Sequence, residues 1–319
     1  MARSAREASG ETQTRPARKT ISQPGPDTRG WFRRIVIGVP FFWLFALFLV
    51  PFLIVFKISL SEVVTAMPPY QPTFGSIAGW WSALKEFSFD NYRWIAGDPL
   101  YFNSYVLSLG IAAASTVLTL LLAYPLAYGI SKASPAWRTS LVMLVILPFW
   151  TSFLIRVYAW IAILKPEGLL NQLLLWLRVI DQPLVILNTP TAIFIGIVYS
   201  YLPFMILPIY ASLERMDQSL IEAAADLGAT PFKTFWTVTF PLSLPGVIAG
   251  CFLVFIPATG EFVIPDLLGG SRTLMIGKTV WLEFFTNRDW PVASAVTVVL
   301  VIILVLPIVL FQRVQARAQ

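Results

Sequence analysis

The sequence has no histidine, a single cysteine, Cys251, and charge on only 13% of its residues. Without histidine there is no Ser-His-Asp triad, no imidazole acid–base step and no His-ligated metal. One cysteine forms neither an internal disulfide nor a thiolate cluster, and Cys251, standing in an apolar run, reads as a small hydrophobe. The shortage of charge excludes more. Soluble domains carry about 25% charged residues, whereas this chain is 57% hydrophobic with a mean hydropathy of +0.72. It has too few charges to wet a globular surface and reads as a polytopic membrane protein. A G-x-x-x-x-G-K-[ST] phosphate loop is also lacking, so any dependence on ATP belongs to a partner. An intramembrane enzyme is left with a two-Asp or Ser-Lys site, and the sequence offers no such facing pair.

What is present is a basic tail and six apolar stretches. Of the 23 basic residues, Arg3, Arg6, Arg15, Arg18, Lys19, Arg29, Arg33 and Arg34 precede the first apolar run. Residues 1–30 are rich in Ser, Thr, Pro, Gly and Arg with little to bury, so a disordered basic cytoplasmic tail is expected, not a nucleic-acid-binding arm. The run that follows is too long and too aromatic for the core of a cleavable signal peptide. A membrane-spanning helix needs about 20 mostly apolar residues. Charge-free windows place spans at about 35–56, 104–130, 140–163, 191–213, 242–262 and 290–311. The expectation is an all-α polytopic bundle of six transmembrane helices, with 31–319 as the membrane domain and both termini cytoplasmic. Basic residues are more numerous on the side of the tail, as the positive-inside rule requires. Trp80, Trp81, Trp94, Trp160 and Trp290 suit interfacial anchoring, and the apolar segment 168–177 suits a short helix that does not cross. Prolines in or beside every span predict kinked helices packed on protein.

The stretch 216–241 between the fourth and fifth spans reads as a helix, a turn and a second helix. Ser219 and Glu222 have capping-box spacing, Gly228 suits a left-handed helix end, and Thr230-Pro231 restarts a helix with a cap and a first-turn proline. The product is a short helix with a methyl-lined surface that another protein can cup.

Glu222-Ala223-Ala224, then Gly228, then Val238-Thr239-Phe240-Pro241 resembles the E-A-A, G, I-x-L-P loop of ABC-importer permeases, with Val and Phe in place of Ile and Leu. Segments 148–160, 255–270 and 287–291 are similar to the permease subunits of bacterial spermidine/putrescine importers, and to the putrescine type above all. The resemblance implies a type I ABC-importer permease (MetI-like) architecture in the bacterial inner membrane. It implies that Glu222, Ala223, Ala224, Gly228 and Pro241 couple to a cytoplasmic ATPase. It also implies the partners: a second homologous permease, two copies of that ATPase with its ATP and Mg, and a periplasmic polyamine-binding protein. No cofactor is expected on this chain itself. A secondary transporter would have no use for a docking loop, whereas a permease for another small solute remains the alternative.

Polyamines are flexible polycations, so a pathway should offer carboxylates and aromatic faces. Glu261 in the fifth span is costly in lipid unless it faces water or a partner, which makes it a pathway candidate or the ion-pair partner of Arg156 or a loop cation. Asp266 is expected at the outer mouth or as a loop cap. Arg156, priced at roughly 3 kcal/mol in mid-span, would repel a polycation and reads as a gate or structural ion pair. Tyr199, Tyr201, Trp150 and Tyr158 are candidate aromatic walls, with packing as the alternative for each.

Overall fold

A computed structural model describes residues 26–73, 87–270 and 273–318. Residues 1–25 of the expected tail, together with Trp80 and Trp81, lie outside the described residues. The chain divides into two units, residues 1–53 and 54–319, each described by itself. Helix α1, Pro26–Ser59, begins inside the segment expected to be unstructured and carries Pro40 and Pro51 internally. A two-stranded antiparallel hairpin follows, β1 (Glu62–Val63) on β2 (Tyr70–Gln71).

The remaining helices are α2 (Asp90–Gly97), α3 (Pro99–Lys132), α4 (Pro135–Ile146), α5 (Phe153–Leu164), α6 (Leu169–Trp176), α7 (Pro190–Glu214), α8 (Ser219–Asp226), α9 (Pro231–Thr234), α10 (Phe240–Thr259), α11 (Val263–Leu268), α12 (Ile276–Trp281) and α13 (Trp290–Ala318). Four of them begin Asp98-Pro99, Ser134-Pro135, Thr189-Pro190 and Thr230-Pro231. Proline is suited to a first turn because the N–H it lacks would have no helical partner there.

Among the described residues, four helical stretches are long and apolar enough to cross a membrane: Arg33–Ser59, Pro99–Lys132, Pro190–Glu214 and Pro231–Thr259. A fifth is reached only if a bent pair, Pro135–Trp150 and Phe153–Trp176, is taken as one span. The third expected span, 140–163, is therefore not a straight helix but is broken and bent by 90°. Pro148 sits in a 3₁₀ turn, Leu147–Trp150, and Thr151 is extended, so the helical ladder stops there. The sixth expected span coincides with α13, whose apolar stretch Trp290–Leu306 is shorter than the others. Proline alone does not break these helices: Pro125, Pro203, Pro208, Pro245 and Pro257 all lie inside continuous ones.

Helices α3, α7 and α10 pack side by side, with Ala123, Ala127, Met205, Ile209, Val247 and Val254 fully enclosed or nearly so. In lipid, helices gain little from hiding apolar surface and associate through close packing and hydrogen bonds. Both devices are visible. A Cβ on Gly246 would run into the Pro208 carbonyl and the Ser212 side chain, and one on Gly250 would lie 2.7 Å from the Met205 sulfur. Gly246 and Gly250, one turn apart, thus let the α10 backbone lie against α7. Tyr124 Oη and Ser243 Oγ share a hydrogen bond at 2.9 Å, joining α3 to α10. Ser108 Oγ accepts the Ile276 amide at 2.7 Å, and Tyr105 Oη donates to the Val296 carbonyl at 2.7 Å, so α12 and α13 are tied to α3 as well.

Candidate functional site

Two regions carry the residues singled out from the sequence. The first is the stretch from Arg215 to Pro241. Helix α8 has no buried residue, and Glu222, Ala223 and Gly228 are exposed while Ala224 is half-buried. Gly228 has φ +79°, the left-handed conformation that ends α8 and turns the chain towards Thr230. Thr230 Oγ1 accepts the Lys233 amide, and Pro231 takes the first turn of α9. The expected capping box is not formed. The Ser219 amide donates instead to Asp217 Oδ1 at 2.9 Å. The Ser219 amide, and then its hydroxyl, hold the Asp217 carboxyl below the usual carboxylate range. Ser219 fails as a cap because the helix starts at that residue; Gln218, in the capping position, makes no side-chain bond to the helix, and Asp217 one residue further back takes the Ser219 amide.

The loop is held firmly at its base. Arg138 pairs with Glu214 at 3.6 Å, Lys132 Nζ donates to Gln218 Oε1 at 3.2 Å, and Phe235 packs edge-on against Tyr124 and Tyr128 at 5.6 and 5.9 Å. Phe240, the substitute for leucine, packs 5.7 Å from Tyr124, and Pro241 is exposed in the first turn of α10. A one-turn π-helix, Phe235–Thr239, carries the chain from α9 into α10. Beyond this base the loop bares apolar surface: Leu227 is 89% exposed, and Phe232 and Trp236, whose rings meet edge-on, are exposed as well. The sequence reading missed these three side chains, because large apolar residues recur through the loop and only the structure separates the exposed ones from those, such as Phe235 and Phe240, that pack at its base.

The second region lies where α10 ends. Glu261 is buried, with 9% of its surface exposed. Its Oε1 accepts the backbone amides of Phe262, Val263 and Ile264 at 3.2, 3.0 and 3.5 Å. Its Oε2 accepts Tyr201 Oη at 2.7 Å. Three amides at the start of α11 converge on one carboxylate oxygen, and the phenol holds the other. The carboxylate thereby fastens α11 to α7. A Cβ on Gly277 would lie 2.8 Å from the Glu261 carbonyl, so α12 begins directly against this turn.

Arg156 stands apart. Its guanidinium lies over the rings of Phe149 and Phe153, 5.2 and 5.9 Å from their centres. Among the described residues its Nε has no hydrogen-bond partner, and no ion pair joins it to Glu261. An aromatic chain runs between the two: Phe149 to Phe204 at 5.0 Å and Phe204 to Tyr201 at 6.1 Å. Tyr199 meets Trp160 edge-on at 5.3 Å. Trp150 and Tyr158 are exposed, and among the described residues neither has a ring partner.

Asp266 is 52% exposed at its side chain and pairs at 3.1 Å with Lys278, whose side chain is 14% exposed. Phe262 and Trp281 stack nearly parallel, 4.7 Å apart, and Phe285 lies 4.1 Å beyond. Phe262 stands one turn before Asp266 and Trp281 one turn after Lys278, so ring stack and ion pair bridge the same two short elements. Lys278, Phe262, Trp281 and Phe285 were not singled out from the sequence. Each is unremarkable in its own segment, and contacts between separate segments bring them together.

A family model described as binding-protein-dependent transport system inner membrane component matches residues 22–318. The spermidine/putrescine transport system permease protein PotB of Haemophilus influenzae is 39% identical over 282 residues, 88% of this chain and 93% of that protein. PotB of Escherichia coli strain K12 is 44% identical over 227 residues, 71% of this chain and 82% of its own length. Among solved structures, a chain of a bacterial ABC transporter that imports the acidic polysaccharide alginate superposes with a TM-score of 0.64 at 16% identity, covering 91% of this chain and 96% of that one.

Proposed function

This chain belongs to the family of binding-protein-dependent transport system inner membrane components, a non-catalytic, multi-pass permease subunit of a bacterial ABC importer, and we propose that its cargo is a polyamine. The exposed carboxylate of Asp266 beside the Phe262–Trp281–Phe285 stack carries this reading. A carboxylate attracts an ammonium, and ring faces hold it without a trapping ion pair. The two PotB relatives, whose names specify spermidine and putrescine, support the same cargo.

In this reading the permease works with a second, homologous permease, two copies of a cytoplasmic ATPase that binds ATP and Mg, and a periplasmic polyamine-binding protein. The termini and the 216–241 loop face the cytoplasm. The bare apolar tip at Leu227, Phe232 and Trp236, presented by α8 and Gly228 on the ion-paired base, is the surface that seats in the ATPase. Glu222, Ala223, Ala224, Gly228 and Pro241 shape that surface. Asp266 lies towards the periplasmic end, where cargo enters. Glu261 supports the pathway by fixing α11, and Arg156 at the break of the bent pair repels a polycation from the lipid-side wall. Tyr201 lies inward at the Glu261 carboxylate, while Tyr199, Trp150 and Tyr158 are exposed.

The test is uptake of radiolabelled spermidine into vesicles carrying the complete complex and supplied with ATP inside. Uptake should require all partners and should be competed by putrescine but not by an uncharged solute. Uptake by this chain alone, or none by the complete complex, would reject the reading.

A further inference from the structure

Lys278 is a cation enclosed by protein at the place where a cationic cargo is proposed to pass. An ammonium with only 14% of its side chain exposed needs a partner, and it has one in Asp266 at 3.1 Å. That partner is half open to its surroundings, so an incoming cation can reach it. The contact is between a primary ammonium on a four-carbon stem and a carboxylate. A polyamine end group would make the same contact with the same oxygen atoms.

We propose that Lys278 is a tethered stand-in for the cargo: it occupies Asp266 while the permease is empty, an arriving polyamine ammonium displaces it, and its return releases the cargo. The proposal rests on the polyamine reading given above. The exchange keeps Asp266 paired and sets the cargo's charge beside the displaced Lys278 ammonium, and the repulsion between the two drives the return that releases the cargo. The half-exposed Asp266 leaves one side of the pair open to an incoming ammonium. Gly277, pressed against the Gly260 and Glu261 carbonyls, fixes the end of α12 from which Lys278 projects. Cargo exchange would thereby act directly on the turn that Glu261 fastens.

The experiment uses the complete complex with Lys278→Met, which keeps the stem and removes the ammonium. Two quantities are read: spermidine uptake at saturating concentration, and labelled spermidine retained by the detergent-extracted complex. If Lys278 competes for Asp266, retention rises while uptake falls, each by roughly three- to fivefold, the scale of a partly exposed ion pair. A purely structural role would lower both, and no role would move neither. Either result overturns the proposal. In an Asp266→Asn background the gain in retention must vanish, and its persistence would also overturn the proposal. A wild-type complex that takes up no spermidine would reject the polyamine reading itself, and that result is read without any variant.

Discussion

Glu222 and Glu261 are glutamates of one chain, and their surroundings are opposite. Glu222 is exposed in the first turn of α8, in a stretch with no buried residue and an apolar tip at Leu227. Glu261 is enclosed, and its oxygens are occupied by three amides and the Tyr201 hydroxyl. A carboxylate left open can be read by a partner, whereas one gripped by donors from two helices holds the fold together. The two regions should therefore fail differently: damage at Glu261 removes the assembled protein, and damage at the loop leaves an assembled protein that does not respond.

The largest effect is expected from Glu261→Ala. It strands buried donors at roughly 1–3 kcal/mol each, so the yield of assembled complex, measured by size-exclusion chromatography after extraction, should collapse. Normal yield would mean that the carboxylate faces a wet pathway. Tyr201→Phe removes one hydrogen bond to a charged group, worth about 1.5–3 kcal/mol, and should lower the thermal midpoint of the complex with only a modest loss of yield. An unchanged midpoint would show that the phenol contributes nothing to the clamp.

At the loop, Glu222→Lys places positive charge near a helix N-terminus, a cost of only about 0.3–1 kcal/mol. Yield should be normal while cargo-stimulated ATP hydrolysis falls about tenfold, the scale of 1.4 kcal/mol lost at a docking contact. Parallel loss of yield and stimulation would remove the contrast between the regions. The smallest effect is expected from Asp217→Ala, which removes the acceptor of the first amide of α8 and should speed amide exchange at Ser219. The carboxyl is held below its ordinary value by the Ser219 amide. The cap is therefore fully present above the unfolded Asp value of about 4 and is lost as pH falls through the lower folded value. Protection of the Ser219 amide relative to its intrinsic exchange rate should be lost only below that window, and protection unchanged by both the variant and pH would show that the Asp217 carboxylate is idle.

How far each region was legible follows from where its partners lie. The end of α8 at Gly228 and the restart at Thr230-Pro231 are determined by residues within a few positions, and short-range chemistry reveals them. Asp217 and Ser219 both carry capping oxygens two residues apart, and spacing alone chose the wrong one. Glu261 stands 60 residues from Tyr201, so a sequence shows an expensive carboxylate but not the hydroxyl that satisfies it. Gly246 and Gly250 likewise look like ordinary membrane-helix glycines until α7 is laid against them. The broken third span was half visible: Pro148 stood in the window, but Pro125 and Pro203 stand in unbroken helices, so proline alone did not announce the break.

The central claim is that the exposed loop transmits a signal to the ATPase and has little part in holding the fold. It is tested most directly by Gly228→Val in the complete complex. Valine does not readily adopt the positive φ found there, and nothing lies within 4 Å of the added Cβ, so the change should misdirect α8 without crowding a neighbour. The account predicts normal assembly with cargo-stimulated ATP hydrolysis reduced to the unstimulated rate. Stimulation at the wild-type level in an equally well assembled Gly228→Val complex would contradict it.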